Sequence, residues 1–136
     1  MEDNNVLQIL KSAKTIAIVG LSDKPDRDSY TVAEYLQNAG YTIIPVNPNI
    51  SEWNGIKAYA SLLDIPNDIK VDIVDIFRRS EFVEDLVDQA LKMKNKPKAI
   101  WMQLGIENEK SAEKAKRAGM IVIQNNCIKI EHMKAR

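Results

Sequence analysis

The 136-residue sequence predicts an α/β fold: a doubly wound, mainly parallel sheet of five or six strands with helices on both faces. Three observations predict it. Short β-rich runs that are apolar on both faces recur along the chain, as in Thr15-Ile16-Ala17-Ile18-Val19, and suit strands covered above and below. Segments of helical period alternate with these runs, which implies right-handed crossovers. The first run stops at Gly20 and opens into a polar loop ahead of a helix, the layout of a Rossmann-like nucleotide-binding domain. With 45% hydrophobic residues in a chain of this length, residues 1–136 are expected to bury one continuous core as a single domain.

Each element has its own signal. Asn5 is expected to cap a first helix carrying Val6, Leu7, Ile9, Leu10 and Ala13 on its apolar stripe. Strand one is Thr15 to Val19. Val32, Ala33, Tyr35, Leu36 and Ala39 mark the next helix, with Thr31 and Glu34 as a capping box and Gly40 as its stop. Tyr41 to Val46 forms the second strand, and Pro45, lacking a ladder donor, places it where that side has little or no partner. A short strand is expected over Ile56 to Tyr59, followed by one helical turn opened by Ser61 and Asp64. Val71 to Phe77 is a further strand, and Ser80 is expected to cap the helix carrying Phe82, Val83, Leu86, Val87, Ala90 and Leu91. Ala99 to Leu104 and Met120 to Gln124 are the last strands, with a charged helix from Ser111 to Ala118 between them. Cys127 to Lys134 closes the chain as a helix.

Charge and composition narrow the function. Lysine and arginine number 19 against 19 aspartate and glutamate, so no global field favours nucleic acid or an anionic membrane. No apolar stretch approaches the roughly 20 residues of a membrane span. The start Met1-Glu2-Asp3-Asn4-Asn5 lacks the features of a signal peptide, and the one cysteine, Cys127, has no intrachain disulfide partner. A cytoplasmic protein is expected.

Ligands of such sheets bind beyond the C-terminal ends of the strands, near the point where strand order reverses. The first loop there holds Gly20, Ser22, Lys24, Pro25, Arg27 and Ser29. Backbone N–H groups and a helix start favour phosphate, the two cations and two hydroxyls add donors, and Gly20 allows close approach. A G-x-G-x-x-G fingerprint is absent, because the next glycine after Gly20 is Gly40. Asn47-Pro48-Asn49 replaces the acidic residue expected after the second strand of a dinucleotide site. Phe77 and Arg78, with Arg79, follow the next strand, where a guanidinium can hold phosphate oxygens through paired hydrogen bonds. The competing role for the two arginines is pairing with Glu81, Glu84 or Asp85. Trp101 and Gln103 share a strand face ahead of Gly105, with Gln103 placed to meet a polar group and Trp101 also suited to plain core.

Together these motifs carry a family resemblance. Gly20-x-Ser22-x-x-Pro25-x-Arg27-x-Ser29, Pro45-Val46-Asn47-Pro48, Phe77-Arg78-Arg79-Ser80, Trp101-x-Gln103-x-Gly105, Asn108-Glu109 and Cys127-Ile128-Lys129-x-Glu131-His132 resemble the stand-alone CoA-binding protein family. Its fold is similar to the CoA-binding domain of the succinyl-CoA synthetase alpha subunit. The resemblance runs from about Thr15 to His132 and implies coenzyme A, or an acyl-CoA, as ligand. It implies further that the loop after Gly20 receives the diphosphate. The Asn47-Pro48 and Phe77-Arg78 turns would flank the adenosine and 3′-phosphate, and the Trp101 to Gly105 turn would approach the pantetheine arm.

No complete catalytic machinery is expected. The sequence offers no Ser/His/Asp set, no Cys/His metal spacing and no paired catalytic carboxylates; Asp72 and Asp75 are assigned to packing or capping. The synthetase's phosphohistidine belongs to a second domain, and His132 does not correspond to it. Cys127 is either a small buried hydrophobe or a thiol near the CoA sulfur, able to form a mixed disulfide. The face from Glu107 to Arg117 is a solvated one. An NAD(P)-binding oxidoreductase or sensor, and a regulatory or interaction subunit with CoA as effector, are the other functional classes; a homo-oligomer or protein partner is left open.

Overall fold

The computed structural model describes residues 2–135. Helix α1 (Glu2–Ser12) leads into β1 (Thr15–Val19), α2 (Asp28–Asn38) and β2 (Thr42–Val46). A small hairpin of β3 (Glu52–Trp53) and β4 (Ile56–Lys57) follows, then β5 (Ile73–Ile76), α3 (Val83–Lys92), β6 (Ala99–Met102), α4 (Glu109–Arg117), β7 (Ile121–Ile123) and α5 (Ile128–Ala135).

The main sheet has five parallel strands in the order β2-β1-β5-β6-β7. Strand alternation divides its side chains between two cores. Ala17, Val19, Val74, Ile76, Ile100 and Met102 pack against α3 and α4. Ile16, Ile18, Ile73, Ala99 and Trp101 pack against α1, α2 and α5. Helices therefore cover both faces, as expected of a doubly wound sheet. The order reverses between β1 and β5, and the chain leaves these neighbours toward opposite faces.

Several local expectations are corrected. Helix α1 is already helical at Glu2, so Asn5 lies within it rather than capping it. Helix α2 starts at Asp28 with Arg27 in the cap position, and the Thr31 hydroxyl donates back to the Arg27 carbonyl at 3.4 Å instead of opening the helix. Ser80 starts a 3₁₀ turn over Ser80–Phe82, and its hydroxyl oxygen accepts the Glu107 N–H at 3.0 Å, joining two loops. The segment expected as a strand from Ile56 to Tyr59 does not extend the main sheet. Asn54 and Gly55, both at positive φ (50° and 80°), turn it back on β3 as an antiparallel hairpin. Only Tyr59 reaches the main sheet, bridging to Val46, with its N–H donated to the Pro45 carbonyl. Strand β2 is thus the sheet edge on which Pro45 is tolerated.

Asp72 and Asp75 have opposite fates. One Asp72 oxygen accepts the N–H groups of Lys14 and Thr15, at 2.8 and 3.0 Å, and the other faces Lys98 at 3.7 Å, tying strand starts together. Asp75 sits in the row between Ile18 and Trp101, fully buried, with neither carboxyl oxygen hydrogen-bonded. Burial pushes its carboxyl well above the usual carboxylate range.

Candidate functional site

The strand-order reversal opens the C-terminal edge of the sheet between β1 and β5. Gly20 is the residue that makes this crossing fit. It has φ +87°, and a Cβ there would lie 2.8 Å from the Phe77 carbonyl oxygen and 3.2 Å from Arg78 Cδ. Only glycine satisfies both the left-handed backbone and the close passage of the β5 loop.

The loop after Gly20 is braced by its own hydroxyls. Ser22 N–H donates to Ser29 Oγ at 3.0 Å, and Ser22 Oγ accepts Lys24 N–H at 3.1 Å. The Arg27 N–H closes a turn on the Lys24 carbonyl around Pro25 and Asp26. Ser22, Ser29 and Pro25 therefore shape the loop. Lys24 and Arg27 are exposed and make no ion pair with any described residue. Asp23, Asp26 and Asp28 share the same stretch. With three carboxylates beside its two cations, the stretch carries no net positive charge.

Asn47 is similarly committed. Its Nδ2 donates to the Leu21 carbonyl at 2.9 Å and its Oδ1 accepts Asn49 N–H at 2.8 Å, fastening the β2 loop to the β1 loop. Pro48 lines a pocket of about 140 Å³ with Val19, Val46, Ser61, Arg78 and Phe82. The Arg78 guanidinium lies over the Phe82 ring at 4.3 Å, which presents it in that pocket. Arg79 turns outward, 77% exposed, and pairs with Glu81 at 3.6 Å. Arg79 thus takes the ion-pair role the sequence allowed, while Arg78 lines the pocket.

On the other face of the sheet edge runs a larger, mostly apolar groove of about 530 Å³. Phe77, Gln103 and Leu104 form one side, and Cys127, Ile130 and Met133 of the α5 region the other. Gln103 is only 4% exposed, and its Oε1 accepts the Ile128 N–H at 3.0 Å at the start of α5. Trp101 is fully buried beneath, donating from Nε1 to the Asn126 carbonyl at 2.8 Å, and so supports the groove without lining it. Gly105, at φ +81°, turns the chain away and donates its N–H to Asn125 Oδ1. His132 lies outside the cleft, its Nδ1 2.7 Å from the Tyr35 hydroxyl and its ring edge-on to Tyr35 and Tyr41. Among the described residues no cluster of His, Cys, Asp and Glu is arranged to hold a metal, and no helix is long and apolar enough to cross a membrane.

The sequence drew attention to the loops but missed the contribution of α5. Ile130, Met133 and Lys129 line the groove with Val32 of α2, and Leu104, Ile130 and Met133 stay 61%, 45% and 46% exposed at its mouth. The signal was present in α5: its apolar residues are spread around the helix, too widely for one buried stripe.

A doubly wound α/β domain whose strand order reverses at a close glycine crossing is Rossmann-like, with a nucleotide-binding-like fold. The chain matches the family model described as CoA binding domain over residues 14–133, and it belongs to that family. It is 44% identical to the uncharacterized protein YneT of Bacillus subtilis, over 93% of this chain and 91% of that one. It is 39% identical to a solved hypothetical protein from Pyrococcus horikoshii, with a TM-score of 0.90 over 98% of this chain and 91% of that one. An ADP-forming acetate–CoA ligase of Methanocaldococcus jannaschii is 30% identical over 91% of this chain, which spans only 18% of the ligase.

Proposed function

We propose that this protein binds coenzyme A, free or as an acyl-CoA, along the C-terminal edge of its sheet and holds it without a catalytic apparatus of its own. Family membership supports the ligand. The observation that carries the assignment to this edge is the pair of unlike cavities on either side of the Gly20 crossing. Coenzyme A is unlike at its two ends in the same way: a phosphorylated nucleotide and a long, mostly apolar arm.

In this reading the N–H groups at the start of α2, with the Lys24 and Arg27 side chains, meet the diphosphate, and Ser22, Pro25 and Ser29 keep that loop in shape. Arg78, beside Pro48, meets the nucleotide end, while Asn47 holds the two loops together. The arm lies in the groove against Phe77, Gln103 and the turn to Gly105, above Trp101. The lack of a glycine-rich fingerprint speaks against NAD(P) at the same edge.

Calorimetric titration with CoA, dephospho-CoA, ATP and NAD tests the proposal. The expected result is one site with CoA the tightest of the four. No heat with CoA, or equal affinity for NAD, overturns it.

A further inference from the structure

The groove ends on a thiol. Cys127 is the chain's one cysteine; it immediately precedes α5, is partly exposed and lines the apolar groove. A half-buried cysteine alone carries no function. Next to it, however, the fold has built something that packing does not require.

Gln103, almost wholly buried, lines the same groove. The Ile128 N–H, one residue after Cys127, donates to its side chain, and this fixes which end of the carboxamide is oxygen. The other end, Nε2, must be the amide donor. It forms no hydrogen bond with any described residue, yet it is not sealed off from the groove. A mostly apolar groove, which Asp28, Thr31 and Lys129 also line, thus presents a fixed, unspent N–H donor on the side chain that holds the residue after Cys127. Open to the groove, this donor can be served by water, and the carbonyl of a ligand that displaces the water can take its place.

The chemistry that fits is an extended, largely apolar chain with an amide carbonyl along its length and sulfur at its end. The pantetheine arm of coenzyme A has this order of groups, and the inference rests on the CoA reading above. We infer that Cys127 is a thiol–disulfide exchange site for the disulfide form of coenzyme A. The Cys127 thiolate attacks one sulfur of the CoA disulfide; a Cys127–CoA sulfur–sulfur bond forms as the original one breaks. Cys127 sulfur is oxidised, the departing CoA sulfur leaves with the electron pair as thiolate, and it takes up the proton that Cys127 lost. The CoA disulfide is the oxidant, and no other reactant is needed. Exchange converts a reversible complex into a covalent one that a thiol reductant releases.

The test uses the full chain, first reduced and then incubated separately with CoA disulfide and glutathione disulfide, followed by intact mass and peptide mapping. The expected product with CoA disulfide is a gain of one CoA less two hydrogens in mass, on Cys127 and removed by reductant. Its rate saturates with disulfide concentration and exceeds that with glutathione disulfide by about tenfold or more, because binding raises the effective concentration at the thiol. Cys127→Ser gives no adduct. Equal rates with the two disulfides mark Cys127 as an ordinary accessible thiol and overturn the inference. No adduct, in a protein that still gives heat with CoA, overturns the inference and leaves CoA binding standing; no adduct and no heat remove both.

Discussion

Asp75→Asn isolates the most unusual group in the core. Asp75 is fully buried between Ile18 and Trp101, neither oxygen has a partner, and burial raises its carboxyl well above the ordinary value of 3.8. The folded chain therefore holds the proton to higher pH than the unfolded chain, which gives it up above that value. The sign follows: the contribution is fully present below the unfolded value and is lost as pH rises toward the folded one. While the folded carboxyl stays neutral, each pH unit lowers the folding constant about tenfold relative to a side chain that does not titrate. Asparagine has nearly the same shape and does not titrate. Other carboxylates, such as Asp72, are common to both chains and cancel in the comparison. Urea unfolding of both proteins at pH 5, 6 and 7 is the assay, with the variant expected to gain on the natural chain as pH rises, by at most about tenfold, or about 1.4 kcal/mol, per pH unit. Parallel stability curves would show that Asp75 ionises in the fold or is reached by water, and would refute the reasoning.

Further substitutions separate framework from ligand contacts. Gly20→Ala forces a side chain into a left-handed backbone and 2.8 Å from the Phe77 carbonyl; a loss of about 1–3 kcal/mol in urea unfolding and weaker CoA binding are expected. Arg27→Ala removes an exposed cation with no ion pair among the described residues, so the thermal midpoint should hold while calorimetry shows CoA affinity reduced by about tenfold or more. Arg78→Ala should weaken CoA binding while Arg79→Ala leaves it nearly unchanged, since Arg78 lines the pocket beside Pro48 and Arg79 pairs with Glu81 in solvent. Similar losses from both would reject the division between them.

The strands and the loops after them were legible because each is a local pattern. Thr15 to Val19 is apolar on both faces, and Gly20 is placed where a strand must yield to a close neighbour. Commitments made across the sequence were not legible. Ser22, Ser29 and Asn47 offer the right groups for a ligand, but the serine oxygens accept N–H groups of their own loop and Asn47 fastens its loop to the first, and nothing in their local spacing reveals it. Asp72 and Asp75 look alike in sequence; the first reaches backbone N–H groups 57 and 58 residues away, and the second meets only apolar rows. The Asn54-Gly55 pair did carry a local signal, that of a tight hairpin, which pairs the strand expected from Ile56 with Glu52 and Trp53 before it. The part of α5 in the groove came from packing that no short window holds.

The central claim is that coenzyme A occupies the C-terminal edge of the sheet. Backbone amide NMR of the full chain, titrated with CoA, tests it most directly. Shifts are expected in Gly20 to Ser29, at Phe77 and Arg78, and from Gln103 to Gly105, with Cys127 to Lys129 joining them. The opposite end of the sheet holds a basic cleft lined by Lys70, Lys94, Lys96 and Lys98, and its amides should stay in place. Shifts confined to that lysine cleft, or none at either end, would contradict the claim.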